Sequence, residues 1–240
     1  MATCKNCGAP VSGAFCASCG QKASTERIGW HWLVHEVQHS IFHVDKGILF
    51  TLKELFIRPG RMLGDFLEGQ RKRHFPPLSL MLVLAAVYSL LFHFFVPDLS
   101  GFKGVQLETM EASNRLLGER YALFELASLP VFSVCSWLLL RRYGHNFTEH
   151  LVMNAFLGGQ RIVFNIAALP FNSLGARAMT PVFALLFLLY LGYFVFGFTQ
   201  LYEKQNSTTV VIRCMVAFVL FWVFVLALSI IWFLMRATAP

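Results

Sequence analysis

The 240-residue sequence predicts an all-α integral membrane protein of about five transmembrane helices, preceded by a small cysteine-rich head and amphipathic interfacial helices. Three observations lead there. The chain is 56% hydrophobic and only 14% charged, with 25 phenylalanines and a mean hydropathy of +0.58, well outside the range of soluble domains. Five apolar runs, at 78–96, 121–140, 147–169, 181–201 and 210–235, approach or exceed the ~20 residues a helix needs to cross a bilayer. Ahead of them, four cysteines sit in two C-x-x-C pairs.

The chain divides accordingly into a head at 1–24, an amphipathic segment and basic neck at 25–77, and a transmembrane domain at 78–240. Met1–Gly20 has Cys, Gly and Ser where a signal peptide would need an apolar stretch, so the head is expected to stay in the cytoplasm.

Cys4-x-x-Cys7 and Cys16-x-x-Cys19 carry the clearest chemistry. Two such knuckles are expected to place four thiolates tetrahedrally around one Zn2+, forming a zinc ribbon. Four thiolates fill the coordination shell and leave no position for substrate or an activated water, so the ion is structural. So few residues cannot bury enough apolar surface to fold unaided, and metal binding supplies the folding free energy. The remaining cysteines, Cys135 and Cys214, fall in or beside apolar runs. Metal-bound thiolates in a reducing compartment fit this usage better than a disulfide framework.

Downstream, His31, His35, His39 and His43 recur every four residues, which on a helix makes a drifting stripe about 120° wide. Trp30, Leu33, Val34, Val37, Ile41, Val44 and Ile48 fall on the opposite side, an amphipathic pattern. Within it, His35-Glu36-Val37-Gln38-His39 matches H-E-x-x-H, in which two histidines one turn apart hold zinc and the glutamate activates water. Glu36 is therefore a candidate catalytic base, and His35 and His39 are candidate ligands of a second metal. His43 lies about 12 Å along the axis from His35, too far to share the ion, so Asp45, His145, Glu149 or His150 would have to complete the site. An interfacial helix with a histidine-rich polar face explains the same residues without metal.

The neck reads Arg58-Pro59-Gly60-Arg61, then Arg71-Lys72-Arg73-His74-Phe75-Pro76-Pro77 directly before the first span. Pro59 and Gly60 end one helix and start another. The net charge of +7 is concentrated where cations meet headgroups, so membrane lipids, anionic ones included, are the expected partners and nucleic acid is not. Arg58, Arg61, Arg71, Lys72 and Arg73 are the candidate headgroup contacts.

Taken in order, the two cysteine pairs, Asp45-Lys46-Gly47, Thr51, Arg58-Pro59-Gly60 and Glu68-Gly-Gln-Arg-Lys-Arg-His-Phe-Pro76 before a span resemble an uncharacterised family of bacterial inner-membrane proteins with an N-terminal zinc ribbon. The likeness covers roughly residues 4–95. It implies a multi-pass inner-membrane protein and carries no assigned activity or catalytic residue.

Lys and Arg in the short loops favour the side that holds the head, which puts the N-terminus inside and, with five spans, the C-terminus outside. The polar connection at 98–120 is expected to form a short separate helix. The third run is the most polar, with His150, Asn154, Gln160, Arg161 and Asn165, and must face other helices or re-enter. Helix-turn counting sets Arg161 near Glu125 of the second run, an intramembrane pair. No P-loop, dinucleotide glycine motif or nucleophile elbow is present. The expected function is a non-enzymatic adaptor or assembly factor recruiting a protein or lipid partner. Alternatives are a metal-dependent hydrolase using His35, Glu36 and His39, and a small transporter along Glu125 and Arg161.

Overall fold

A computed structural model describes residues 2–34, 47–95, 105–174 and 176–237. The head is built on two antiparallel strands, β1 (Ala2–Thr3) and β2 (Pro10–Val11), with Ala2 opposite Val11 and Thr3 opposite Pro10. A bridge between Phe15 and Lys22 closes its second loop. A helical segment begins at Trp30 and is described to Val34. Of the apolar stripe expected there, Leu33 is buried, whereas Trp30 and Val34 are largely exposed.

Two short helices form the neck, α1 (Gly47–Ile57) and α2 (Pro59–Glu68). Proline at the first position starts α2, and Gly69 ends it in the left-handed conformation, φ 113°, with the Gln70 N–H on Asp65 O. A side chain is disfavoured at Gly69 for a second reason, since its Cβ would lie 2.9 Å from Thr25 Oγ1.

Five helices follow that are long and apolar enough to cross a membrane: α3 (Pro77–Phe95), α4 (Val105–Leu140), α5 (Phe147–Ala168), α6 (Ala176–Leu201) and α7 (Ser207–Ala237). The chain is a multi-pass membrane protein. From Val105 onward, the polar stretch expected as a separate helix is instead continuous with the second span in one helix, α4.

The third span is the centre of the bundle. In its most apolar window, 67% of α5 is buried, against 22% for α6 and α7. It packs against α3, α4 and α6, which explains why the most polar run is also a full-length helix. Its start is fixed by a capping box: Asn146 Oδ1 accepts the Glu149 N–H at 2.8 Å, and Glu149 Oε2 accepts the Asn146 N–H at 2.7 Å.

The neck belongs to the same core. Leu55, Met62, Leu63, Phe66 and Phe75 join one buried cluster with Met153, Phe156 and Phe198 of the spans. Gly60 makes this possible. A Cβ there would stand 2.3 Å from Gly197 O and 2.4 Å from the Leu201 N, so α2 crosses α6 backbone to backbone.

Candidate functional site

The four head cysteines converge. Their Sγ atoms all lie within 4.8 Å of one another, a group able to hold a metal ion and the only such cluster among the described residues. Both knuckles are built alike. Cys4 N–H donates to Ala9 O and Gly8 N–H to Cys4 O, while Cys16 N–H donates to Gln21 O and Gly20 N–H to Cys16 O. Gly8 and Gly20 take positive φ, 75° and 71°, to complete these turns. Backbone amides of Cys19 and Ser18 hold the Cys16 thiol down to about 6, favouring the thiolate a metal needs.

The head is docked on the neck through one side chain. Gln21 is buried, its Nε2 donating to Gly69 O at 2.8 Å and its Oε1 accepting the amides of Arg71 and Lys72 at 3.1 Å each. Arg71 reinforces the contact, donating to Glu26 O at 2.8 Å with its guanidinium 5.1 Å from the Trp32 ring and 5.9 Å from that of Phe66.

Residues 25–28 then tie the head to the start of α5. Arg27 forms a two-pronged ion pair with Glu149, at 2.7 and 2.8 Å, and also donates to Gly144 O. Ile28 O accepts from Asn146 Nδ2 at 2.9 Å. The pair raises the guanidinium further above its usual range.

In the neck, Thr51 Oγ1 is fully buried, donating to Gly47 O and accepting the Phe75 N–H at 2.7 Å, which pins the basic loop against α1. His74 is buried between Phe50 and Phe66. Burial pushes its imidazole down to about 4; Glu54 opposes this, while Arg73 and Arg58 add to it.

The candidate headgroup cations have varied settings. Arg58 pairs with Glu54 and lies 3.8 Å from Asp65; Arg61 lies 3.8 Å from Glu203 at the surface. Arg71 is engaged as above, whereas Lys72 and Arg73 are exposed.

His35, Glu36, His39, His43 and Asp45 lie outside the described residues. The other groups named as completing a second metal site have described neighbours, although His150 Nε2 is buried with no hydrogen-bond partner among the described residues. Glu149 holds Arg27, His145 Nδ1 is 3.0 Å from Tyr202 Oη, and His150 Nδ1 is 3.2 Å from Ser136 Oγ inside the bundle. Burial is also the main cause that lowers His145 below its ordinary range.

Within the membrane domain, Arg161 of α5 pairs with Glu125 of α4. Tyr190 donates to Asn165 nearby. Towards the head, Asn154 Nδ2 donates to Ser136 Oγ at 2.8 Å. A cavity of ≈ 30 Å³ lies beside the ion pair, bounded also by Ser128, Asn154 and Tyr190. Asn154 Oδ1 and Arg161 Nε are buried with no hydrogen-bond partner among the described residues.

Several of these residues escape sequence reasoning. Gln21 and Arg27 act through partners 48 and 122 positions away, and nothing local marks them. Ser133 and Ser136 were open to detection, because they lie one turn apart in an apolar helix with the polar line of α5 to meet.

The family model described as "Protein of unknown function (DUF3667)" matches residues 45–89. The matched stretch contains α1, α2, the basic loop and much of α3, the part that carries Gly47, Thr51, Gly60 and the Gln21-binding loop. No curated protein and no solved structure matches the chain. Over residues 45–89 the chain is thus similar to a family whose function is uncharacterised.

Proposed function

We propose that this protein is a non-enzymatic membrane adaptor that holds a zinc ribbon in a fixed orientation on the cytoplasmic face of a five-helix bundle, for recognition by a protein partner. The observation that carries the proposal is the clamp. Gln21 fastens the head to the neck loop, and Arg27 with Ile28 fastens it to α5, so the head is one body with the membrane domain.

Zinc suits the cysteine cluster. Sulfurs about 2.3 Å from one ion at tetrahedral angles would stand about 3.8 Å apart, and the Cys4–Cys19 and Cys7–Cys16 separations are 3.6 and 3.5 Å. Cys4, Cys7, Cys16 and Cys19 would hold the ion, and its role would be to fold the head. Saturated coordination argues against chemistry at that position.

The cytoplasmic, inner-membrane placement rests on charge. Arg71, Lys72, Arg73, Arg141, Arg142 and Lys204 all fall on the head's side of the bundle. Leu49, Phe56 and Ile57 of α1 are exposed around Lys53, as suits a helix lying at the headgroup level beside Lys72 and Arg73.

Phe15, 64% exposed next to Cys16, offers the head an apolar contact for a partner. A photocrosslinking residue at Phe15 in intact membranes tests the proposal. A discrete protein adduct, lost in Cys4→Ser/Cys7→Ser protein that still inserts, supports it. Hydrolysis by purified protein that Glu36→Gln abolishes, or vesicle flux that Arg161→Ala abolishes, would replace it with the enzyme or the transporter.

A further inference from the structure

We propose that the head is a zinc-responsive latch on the neck loop at 69–72: one residue, Gln21, holds both the cysteine site and the loop, so loading the cysteines closes the head on the loop and emptying them releases it. The latch rests on the zinc-ribbon reading of the head and gives it a regulatory role.

The backbone of Gln21 belongs to the metal site. Its O accepts the Cys16 N–H at 2.8 Å, and its N–H hydrogen-bonds the Cys19 sulfur. Its side chain belongs to the neck, donating to Gly69 O and accepting the amides of Arg71 and Lys72. The first knuckle bears on the same place. Lys5, between Cys4 and Cys7, donates to Thr25 O at 3.3 Å, and both residues lie against the Cα of Gly69, where an added carbon would stand 3.0 Å from Lys5 Cδ and 2.9 Å from Thr25 Oγ1. The two knuckles therefore clasp one glycine of the neck. Cys4 faces Cys19 and Cys7 faces Cys16, so a metal bound to all four ties one knuckle to the other.

Without the ion, a head built on two two-residue strands and one bridge lacks the buried apolar area to stay folded. Gln21 then has no fixed backbone from which to reach the loop, and Gly69 O and the two amides turn to water. The far end of the loop does not follow, because the buried Thr51 Oγ1 accepts the Phe75 N–H at 2.7 Å from inside the neck. The opening is confined to 69–72 and leaves α5 packed. Such coupling is reciprocal: a clamp that zinc strengthens must strengthen zinc binding by the same factor.

The test uses the full-length chain in nanodiscs. Stripping zinc from wild-type protein with a chelator should quicken hydrogen exchange at 69–72 and leave the middle of α5 protected, and added Zn2+ but not Mg2+ should reverse the change. Zinc affinity, measured by competition with a chromophoric chelator, should fall about tenfold in Gln21→Ala, within the ~5–150-fold usual for linked sites. Exchange at 69–72 that ignores zinc, or an affinity in Gln21→Ala equal to that of wild type, overturns the latch and leaves the zinc ribbon standing. A wild-type chain that takes up no zinc overturns the ribbon and the latch together. The exchange measurement needs no variant, so a poorly folded Gln21→Ala protein does not shield the proposal.

Discussion

Gln200, near the end of α6, caps α2 by accepting the Gly60 N–H at 2.8 Å across 140 residues of sequence; the Arg61 N–H lies 3.3 Å from the same oxygen. Helix N-termini leave amides unpaired, and here a membrane helix supplies the missing acceptor. The same crossing needs a bare Cα at position 60, since a Cβ would meet backbone atoms that cannot rotate away. Gly60→Ala should therefore lower stability by about 1–3 kcal/mol, the usual cost of overpacking. Gly192→Ala, with nothing within 4 Å of the new carbon among the described residues, is the control and should be neutral or slightly stabilising. Thermal unfolding of the two purified variants checks the contrast.

Gln21→Ala should loosen the head without expelling it from the membrane. The substitution strands Gly69 O and the amides of Arg71 and Lys72 where Gln21 excluded water, a loss of about 1–3 kcal/mol. Hydrogen exchange at residues 69–72 should quicken, with protection along α5 beyond its first turns unchanged. Equal exchange in wild type and variant would mean the clamp is not occupied in solution.

How much of this was legible in the sequence follows from distance along the chain. The spans and the cysteine knuckles are local patterns, a run of apolar residues or a spacing of three, and each is readable in place. The Glu125–Arg161 pairing is long-range, yet counting helix turns from the span ends sets them about one turn apart in depth, a difference that a long arginine side chain covers. Gln21 on Gly69 and Gln200 on Gly60 had no such ruler, because short polar side chains at loop and helix ends bond wherever tertiary packing brings an amide. Charge misled the reading of the polar stretch from Val105 to Arg120, where acidic and basic residues suggested a separate linker helix. A helix leaving the bilayer can simply continue into water, and α4 does so from Val105.

The buried ion pair predicts asymmetric mutational costs. Glu125→Leu alone leaves an arginine uncompensated inside the bundle and should cost about 3–5 kcal/mol. Glu125→Leu combined with Arg161→Met removes both charges and should recover most of that. Unfolding of these two variants and of Arg161→Met alone completes the cycle, and additive losses would show that the two side chains do not depend on each other.

His74 predicts an acid-sensitive neck. Its ordinary value is 6.5 and the folded value about 4, so between these pH values the unfolded chain binds more protons than the folded one. The stabilisation is complete above about 6.5 and is lost as pH falls towards 4. His74→Phe keeps a ring beside Phe50 and Phe66 and removes the titration. Melting temperature measured at pH 7 and pH 5 should fall less in the variant than in wild type.

The metal content of the purified chain tests the central claim most directly. Elemental analysis should find one zinc per chain in wild type and in His39→Ala, and none in Cys4→Ser/Cys7→Ser protein. A wild-type chain without metal, or a second equivalent lost with His39→Ala, would contradict a purely structural zinc head.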